Sequence, residues 1–204
     1  MSQTPTIIVY SGPMFAGKST RLIQSYLSSD VPAVNKVVFK YAKDIRYSKD
    51  AEIVTHNRET IPCIMINTCS DINTYISKYT TATDCKVSEI YVDECQFLTD
   101  IDTWVTNVKS EPATYSKIIF AGLDLDAKGN YFTDAFNTVI DMADVNYALM
   151  AKCYICSENA PYTKLLKTED LAKMDTNILI GGAELYQPAC KTHFHAQYSK
   201  KPCL

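Results

Sequence analysis

The sequence lacks three features that would place the protein in other classes. It has no apolar run long enough to cross a membrane, and its N-terminus lacks the charged-then-apolar pattern of a signal peptide. It also lacks an excess of positive charge, with 20 Lys and Arg against 23 Asp and Glu and a net charge of −3. Because nucleic-acid backbones attract clustered Lys and Arg, this balance argues against nucleic acid as the main partner. We therefore expect a soluble, cytoplasmic protein that binds neither membrane nor nucleic acid.

The chain nevertheless has enough apolar residues for a full core. They make up 47% of its 204 residues, a length that suits one domain with a small addition. Short β-branched runs predict buried parallel strands, and the segments between them predict helices, so the alternation indicates an α/β fold. The predicted strands are Thr6–Tyr10, Lys36–Tyr41, Glu89–Asp93, Lys117–Leu123 and Asn146–Tyr154, and the predicted helices are Thr20–Leu27, Ser70–Tyr79 and Asp100–Val108.

The strongest single signal is the segment Gly12-Pro13-Met14-Phe15-Ala16-Gly17-Lys18-Ser19. It lies between the first predicted strand and the first predicted helix, which is the context that the P-loop motif G-x-x-x-x-G-K-[ST] requires. Backbone N–H groups of such a loop bind polyphosphate. We predict that Lys18 contacts the β- and γ-phosphates of a nucleotide and that the Ser19 hydroxyl ligates Mg²⁺. The alternative is a plain turn between strand and helix.

A pair of carboxylates, Asp93 and Glu94, ends the predicted strand Glu89–Asp93. An apolar strand that ends in acidic residues is typical of a Walker B motif, in which the Asp holds the Mg²⁺ shell. We predict that role for Asp93. Glu94 is predicted to orient an incoming hydroxyl or to accept its proton. The alternative is a solvated pair at the end of a strand.

Two pairs of residues near the C-terminus have the spacing of metal ligands. Cys153 and Cys156 form C-x-x-C, and Cys190 and His193 form C-x-x-H. Two such knuckles complete a tetrahedral Cys₃His zinc site, and four protein ligands favour a structural ion over a catalytic one. His195 is an alternative to His193, and scattered free thiols are the alternative to a metal site. The remaining cysteines are predicted to be free thiols: Cys63, Cys69, Cys85, Cys95 and Cys203.

Taken together, these motifs resemble those of the thymidine kinase family of the cellular, bacterial and poxviral type. Gly12–Thr20 matches the family pattern G-P-M-F-x-G-K-S-T, which is far narrower than a general P-loop. Further matches extend the resemblance over most of the chain: K-Y-A-K-D-x-R-Y-S at Lys40–Ser48, D-E-x-Q-F at Asp93–Phe97, G-L-D at Gly122–Asp124, Y-T-K at Tyr162–Lys164 and G-G-A-x-x-Y at Gly181–Tyr186.

The resemblance implies an activity and the residues that carry it. It implies transfer of the γ-phosphate of ATP, with Mg²⁺, to the 5′-hydroxyl of thymidine or deoxyuridine in deoxynucleotide salvage, with Glu94 as the general base. The implied ATP site is Gly12, Pro13, Met14, Phe15, Ala16, Gly17, Lys18, Ser19, Thr20, Asp44 and Arg46, with Ser19 and Asp93 on Mg²⁺. The implied nucleoside site is Met14, Gln96, Phe97, Leu123, Phe132, Thr163, Ile178, Leu179, Ile180, Gly181, Gly182 and Tyr186.

The resemblance also implies an organisation for the chain. Residues 1–150 are expected to form a P-loop, RecA-like parallel sheet with helices on both faces. Residues 151–196 are expected to form a small zinc-binding lasso that closes as a lid over the nucleoside. Independently of the resemblance, the polar residues 197–204 are expected to form a disordered tail. A homotetramer and feedback inhibition by thymidine triphosphate are also implied. The alternatives are a solvated ion pair for Asp44 and Arg46 and a plain turn for Gly181-Gly182.

Two residues depart from the family pattern and keep other functions open. Ala127 stands where the family has an aromatic residue, so one wall of the base pocket is thinner unless Tyr131 fills the gap. Lys128 replaces an Arg and loses its bidentate geometry. One alternative is therefore a P-loop kinase of another nucleoside, such as deoxycytidine or a purine nucleoside. The other is an ATP-switched binding module whose zinc segment grips a protein or nucleic acid.

Overall fold

The structure is a computed structural model that describes residues 4–42, 51–54, 59–110, 115–166 and 181–196. The strands within these ranges, in chain order, are β1 (Thr6–Ser11), β2 (Lys36–Tyr41), β3 (Glu52–Val54), β4 (Thr60–Pro62), β5 (Ile64–Ile66), β6 (Glu89–Asp93), β7 (Lys117–Gly122), β8 (Val145–Ala148), β9 (Ala151–Lys152), β10 (Asn159–Ala160), β11 (Tyr162–Leu165) and β12 (Tyr186–Ala189). The helices are α1 (Lys18–Ser28), α2 (Cys69–Thr83), α3 (Ile101–Ser110), α4 (Asp134–Met142) and α5 (Lys191–His195).

A six-stranded sheet organises the fold. Its strand order is β5-β2-β6-β7-β1-β8, and each pair of neighbouring strands is parallel. Three two-stranded antiparallel ladders stand apart from it: β3 with β4, β9 with β10, and β11 with β12. The prediction of an α/β fold around a parallel sheet is therefore confirmed.

Both faces of the sheet are covered, because successive side chains of a strand point to opposite sides. On β7, Ile118 and Phe120 pack into one core with residues of α2, α3 and α4. Ile119 and Ala121 pack into a second core with Leu22 and Ile23 of α1 and residues of the paired strands β3 and β4. Helices therefore lie on both faces, as predicted. This double burial explains why the strands are continuous apolar runs rather than alternating ones.

The second helix begins earlier than its sequence pattern indicated. Its N-cap is Thr68, not a residue at the predicted start, Ser70. Asp71 accepts hydrogen bonds from the backbone N–H groups of Asn67 (2.8 Å) and Thr68 (3.0 Å), and these bonds lower the pKa of Asp71. The acidic side chain in the first turn, rather than the serine, thus satisfies donors that the helix itself leaves unpaired.

One predicted strand was wrong in its second half. The run Asn146–Tyr154 was expected to be a single strand, but β8 ends at Ala148, and Ala151–Lys152 pairs with Asn159–Ala160 in a separate ladder. The pattern also missed β5 at the edge of the sheet and the helix α4. None of the helices in the described ranges is long and apolar enough to cross a membrane.

A buried acidic residue anchors the sheet at the start of β6. Glu89 is 2% exposed and accepts hydrogen bonds from Lys117 Nζ (2.7 Å), Tyr91 Oη (2.6 Å) and Ser29 Oγ (2.7 Å). Burial alone would raise the pKa of Glu89, but these hydrogen bonds outweigh it and hold that pKa below its usual value. The ionised carboxylate is therefore part of the folded structure.

Replacing Lys117 by Met should leave Glu89 without its cationic partner. Removing one partner of a buried pair costs roughly 3–5 kcal/mol, and we expect about 2 kcal/mol here because one third of the Lys117 side chain is exposed. Urea unfolding at pH 7 measures this loss. The wild-type contribution is present above the unfolded pKa and fades as the pH falls through the lowered folded pKa, so the difference should shrink by pH 4.

The control is Lys109→Met, which removes a longer ion pair with Asp144 at 3.4 Å and a hydrogen bond to the Met142 carbonyl oxygen at 2.7 Å. Ion pairs near the surface contribute about 0–1 kcal/mol, and the Asp144 side chain is 46% exposed, so this variant should lose less stability than Lys117→Met. Equal losses in the two variants, or a Lys117→Met loss that is the same at both pH values, would contradict the role given to Glu89.

Candidate active site

The P-loop lies at the carboxyl edge of the sheet, between β1 and α1. Gly12 has φ 136°, and a Cβ at this position would lie 2.3 Å from the backbone oxygen of Leu149. Only glycine fits here, because the loop backbone passes directly against the segment that follows β8. The close contact fixes where the loop leaves the sheet, and α1 then starts at Lys18 with its N-terminus beside the loop.

The lysine of the loop folds back onto the loop backbone. Lys18 Nζ donates a hydrogen bond to the carbonyl oxygen of Pro13 at 2.7 Å. Asp124, just beyond the end of β7, lies close enough to Lys18 for their charges to interact: burial raises the pKa of Asp124, and Lys18 opposes that shift. Asp124 is part of the G-L-D match, but the sequence alone indicates no role for it. Its place beside Lys18 makes it a site residue.

Ser19 and Asp93 meet across the edge of the sheet. The Ser19 hydroxyl is 2.9 Å from one carboxylate oxygen of Asp93 and 3.1 Å from the other. Burial, and after it the charge of Glu94, raise the pKa of Asp93 to about 7. A hydroxyl and a carboxylate at hydrogen-bond distance form the oxygen donor set that Mg²⁺ prefers in nucleotide sites. The residues present therefore fit a magnesium ion.

Glu94 has an unusual backbone conformation immediately after β6. It lies in the left-handed region, with φ 54° and ψ 36°, and begins a short 3₁₀ turn at Cys95–Phe97. Residues other than glycine seldom adopt this conformation, and such strain concentrates at functional sites. The turn directs the chain away from the sheet, so that Asp93 ends the strand while Glu94 starts the turn. Its carboxylate accepts a hydrogen bond from Gln96 Nε2 at 2.7 Å.

An apolar cluster lies beside the P-loop. Buried side chains of Met14, Leu123, Leu165 and Tyr186 form its centre. Phe15, Ala127, Phe132 and Leu185 pack against it. The cluster thus combines residues of the P-loop, the end of β7 and the strands β11 and β12. It contains four of the predicted nucleoside-site residues: Met14, Leu123, Phe132 and Tyr186. Phe15 was predicted for the ATP site and Ala127 for a wall of the base pocket, whereas the sequence did not indicate Leu165 and Leu185.

Two further predicted residues contact this cluster. The N–H of Met14 donates a hydrogen bond of 2.9 Å to Thr163 Oγ1, which joins the P-loop to β11. The Phe97 ring meets Phe132 edge to face, with ring centroids 5.2 Å apart, and stacks on Tyr41 at 5.0 Å. Tyr41 was not predicted as a site residue, and its aromatic character at the end of β2 was the available signal.

The possibility that Tyr131 compensates for Ala127 is not supported. Tyr131 is 60% exposed and lies in an antiparallel bridge with Leu125, whereas Ala127 itself packs against the apolar cluster. The methyl group of Ala127 therefore forms this part of the wall. The bridge explains the difference, because it turns Tyr131 outward at the end of a tight loop.

Two of the predicted site residues lie in a turn, and others lie outside the described ranges. The Gly182 carbonyl accepts hydrogen bonds from the N–H groups of Leu185 (3.1 Å) and Tyr186 (3.0 Å), so this glycine belongs to a turn before β12. Gly181 directly precedes it. The residues Asp44, Arg46, Ile178, Leu179 and Ile180, the range 197–204 and with it Cys203 lie outside the described residues.

The four predicted metal ligands come together, although they lie at two separate places in the C-terminal segment. Donor atoms of Cys153, Cys156, Cys190 and His193 all lie within 4.8 Å of one another. Cys156 Sγ and Cys190 Sγ are 3.7 Å apart, and His193 Nδ1 is 3.2 Å from Cys190 Sγ. Two sulfur ligands of one tetrahedral zinc ion lie about 3.8 Å apart, from Zn–S bonds of about 2.3 Å. The cluster therefore fits zinc.

His193, not His195, completes this cluster. The His195 ring instead contacts the rings of Tyr162 and Phe194 at centroid distances of 6.1 Å and 5.2 Å. Lys164 Nζ donates hydrogen bonds to the carbonyl oxygens of His193 (2.6 Å) and Ala196 (2.7 Å), which holds the end of α5 against β11. The cysteines predicted to be free and described here, Cys63, Cys69, Cys85 and Cys95, form no disulfide.

The surroundings of Cys153 favour the thiolate form of its side chain. Burial opposes ionisation, but hydrogen bonds from the backbone N–H groups of Cys190, Cys156 and Ile155, and from the His193 side chain, lower the pKa of Cys153 to about 6. Metal ions bind the thiolate form of cysteine, so the local backbone favours the protonation state that a zinc ligand requires.

Comparison with known proteins identifies the family. Residues 5–194 match the family model described as "Thymidine kinase". The chain belongs to the thymidine kinase family. It is 33% identical over 189 residues to "Thymidine kinase a" of Arabidopsis thaliana, covering 91% of this chain and 73% of that protein. It is 31% identical over 194 residues to "Thymidine kinase" of Yaba monkey tumor virus, covering 93% of this chain and 94% of that protein.

Other relatives come from distant organisms. The chain is 33% identical to "Thymidine kinase" of Onion yellows phytoplasma over 194 residues, which cover 92% of this chain and 85% of that protein. Plant, bacterial and poxviral proteins thus match the chain at similar identity over most of its length. The family predicted from the motifs is confirmed.

Zinc analysis distinguishes the two histidines of this thymidine kinase family member. His193→Ala should lower the bound zinc well below the expected value of about one per chain, because three thiolates and no imidazole leave the tetrahedron incomplete. His195→Ala is the matched control and should keep its zinc. Elemental analysis of both purified variants measures the outcome. Full zinc in His193→Ala together with loss in His195→Ala would exchange the roles of the two residues.

Proposed function

We propose that this chain is an ATP-dependent kinase that transfers the γ-phosphate of ATP to the 5′-hydroxyl of thymidine and of deoxyuridine. The observation that carries the proposal is the contact between Ser19 of the P-loop and Asp93, with Glu94 adjacent, in a chain of the thymidine kinase family. The apolar cluster around Met14 lies on the same edge of the sheet and would supply a surface for a flat base.

The phosphate end of the site is assigned to the P-loop. Backbone N–H groups of Gly12–Thr20 and the N-terminus of α1 would bind the polyphosphate of ATP. Lys18 would leave the Pro13 carbonyl and contact the β- and γ-phosphates, and Ser19 and Asp93 would hold Mg²⁺. When bound, Mg²⁺ supplies positive charge against the phosphoryl oxygens. Asp44 and Arg46 are proposed to lie near the same phosphates.

Glu94 is proposed to accept the proton of the acceptor hydroxyl. As the O5′–P bond forms, the bond between the γ-phosphorus and the β–γ bridging oxygen breaks, and ADP leaves with that electron pair. The hydroxyl proton passes to the Glu94 carboxylate. Because the transition state of phosphoryl transfer is loose, the position of this carboxylate matters more than strong basicity.

The nucleoside base is proposed to lie on the apolar cluster. Met14, Leu123 and Tyr186 would contact its faces and edge, and the backbone of residues 178–182 would hydrogen-bond its polar edge. Residues 151–196 would close over it as a lid and exclude water, which would otherwise compete with the sugar hydroxyl for the phosphoryl group. The Met14–Thr163 hydrogen bond supports this role, since it already connects the P-loop with β11 of the lid segment.

Zinc is proposed to have a structural role in that lid. Cys153, Cys156, Cys190 and His193 would occupy all four tetrahedral positions, which leaves none for substrate. The ion would fasten both ends of the segment 157–189 and so stabilise the lid without taking part in the phosphoryl transfer. A homotetramer and inhibition by thymidine triphosphate, with its base under the lid and its phosphates on the P-loop, remain proposals that follow from the family.

A broader nucleoside range is the second candidate. The observation that favours it is the wall at Ala127, where a methyl group packs against the cluster and Tyr131 points outward. A smaller wall leaves space that a base other than thymine could use. Hydrophobic contacts alone discriminate weakly between bases, by roughly 1–3 kcal/mol per methylene-sized difference, so the measured substrate range decides between the two.

The variant Glu94→Gln tests whether Glu94 is the general base. The amide is nearly isosteric but cannot accept the proton, so kcat should fall by about 10²–10⁴-fold while the Kd for ATP stays within about twofold of wild type. Single-turnover phosphoryl transfer and ATP titration measure the two quantities. The matched control, Glu59→Gln, alters an exposed glutamate next to β4 and should leave kcat unchanged. Near-normal turnover in Glu94→Gln would remove Glu94 from this role.

The substrate range is tested with thymidine, deoxyuridine, deoxycytidine and deoxyguanosine, each with ATP and Mg²⁺. We expect phosphorylation of thymidine and deoxyuridine, and loss of thymidine affinity after zinc is removed by a chelator. Phosphorylation of all four nucleosides would support the broader range. If ATP binds and no nucleoside is phosphorylated, the kinase proposal is wrong and an ATP-switched binding module takes its place.

A further inference from the structure

We infer that Gln96 is a positioning residue that fixes the Glu94 carboxylate to the backbone of Leu123, rather than a contact to the nucleoside. The inference rests on the proposed function, because it concerns the placement of the proposed base. Gln96 is completely buried, with 0% of its surface exposed. Its amide is therefore closed off from a bound ligand in this structure, and both of its ends bond to protein atoms.

The orientation of this amide is determined by its partners. The backbone N–H of Leu123 donates to Gln96 Oε1 at 3.1 Å. A backbone N–H can only donate, so the amide oxygen must face Leu123 and the NH₂ group must face Glu94. The NH₂ group then donates to Glu94 Oε2 at 2.7 Å. A flipped amide would place two donors together at Leu123, and its oxygen against a carboxylate.

The turn that carries Gln96 is fastened to the end of β7. Cys95 Sγ donates a hydrogen bond to the carbonyl oxygen of Ala121 at 3.1 Å. A Cβ on Gly122 would lie 2.9 Å from both Cys95 Sγ and Gln96 Oε1. The absence of a side chain at Gly122 is thus what allows the amide to approach the strand. The ends of β6 and β7 act here as one rigid support.

This support compensates for the strained backbone of Glu94. A glutamate at φ 54° persists only where its surroundings hold it there. The bonds of Cys95 and Gln96 restrain the chain after Glu94. The parallel pairing of Asp93 with β7 restrains the chain before it. The carboxylate of Glu94 is therefore restrained through its backbone and directly through Oε2.

The hydrogen bond between Leu123 and Gln96 also connects Glu94, the proposed general base, with the apolar cluster. Leu123 donates its N–H to Gln96, and its side chain belongs to the apolar cluster that contains Met14 and Tyr186. The carboxylate and the surface for the base are therefore fixed to a single backbone position. A misplacement of about 1 Å between a reacting group and its substrate can reduce a rate about 10²-fold without loss of binding. Loss of the Gln96 bonds should accordingly lower kcat and leave KM nearly unchanged.

Two substitutions separate the two bonds of the amide. Gln96→Met keeps the length of the side chain and removes both hydrogen bonds. Gln96→Glu keeps an oxygen that can accept from Leu123, and at a pH high enough to ionise the new carboxyl it can no longer donate to Glu94. We expect each variant to lose about 10–100-fold in kcat, with the KM values for thymidine and ATP within about threefold of wild type. If Gln96→Met fails to fold, Gln96→Glu still tests the bond to Glu94.

A double-mutant cycle with Glu94→Gln supplies the decisive comparison. If Gln96 acts only through the Glu94 carboxylate, Gln96→Met should reduce single-turnover rates in wild type and have little further effect in the Glu94→Gln background. A purely structural role predicts the same fractional loss in both backgrounds. Asn73→Leu is the control, because it removes a side-chain hydrogen bond to Trp104 of 2.9 Å outside the site and should leave kcat unchanged.

Three results would overturn the inference. These are an unchanged kcat in both Gln96 variants, an equal loss in both backgrounds, or a thymidine KM raised more than about tenfold with kcat preserved. The last result would place the Gln96 amide on the nucleoside. Failure of the proposed function is separate, since it would appear as near-normal turnover in Glu94→Gln alone or as absence of any phosphorylated nucleoside in the wild-type protein.

Discussion

The parallel pairing of β6, β7 and β1 is the constraint on which the site depends. In this register Asp93 lies level with Ala121, and Ala121 lies level with Tyr10 on the next strand. The three strands therefore end together, and the P-loop, the carboxylates and the loop after Gly122 emerge at one edge. Ligands of open parallel sheets bind at this edge because every connecting loop on that side can contribute side chains. The contact between Ser19 and Asp93 is a direct consequence.

The two ends of the sheet hold their charged groups in different ways. At the amino end, Glu89 is buried with three hydrogen-bond donors, and its lowered pKa stabilises the fold. At the carboxyl end, burial and Glu94 raise the pKa of Asp93, so this carboxylate is poorly compensated by the protein alone. A divalent cation would supply the missing positive charge. The contrast agrees with a structural role for Glu89 at the amino end of the sheet and a functional role for Asp93 at the carboxyl end.

Some of this organisation could be predicted from the sequence alone. The P-loop, the strand that ends in Asp93, and the four metal ligands depend on residue types at short, fixed spacings, which local backbone geometry imposes. The apolar cluster could be predicted only in part. Leu165 and Leu185 come from β11 and the turn before β12, and leucines of this kind are common in cores, so nothing local distinguished them. The position of Asp124 beside Lys18 likewise required two loops to meet.

The sequence by itself therefore determined the family, the α/β class, the phosphate loop and the three cysteines of the metal cluster, because each follows from local pattern and spacing. Only the tertiary structure decided between His193 and His195, turned Tyr131 outward at Ala127, and placed both ends of the Gln96 amide on protein atoms. These outcomes depend on which segments meet after folding. Contacts between residues far apart in the chain are set by the packing of the whole sheet, and no short motif records them.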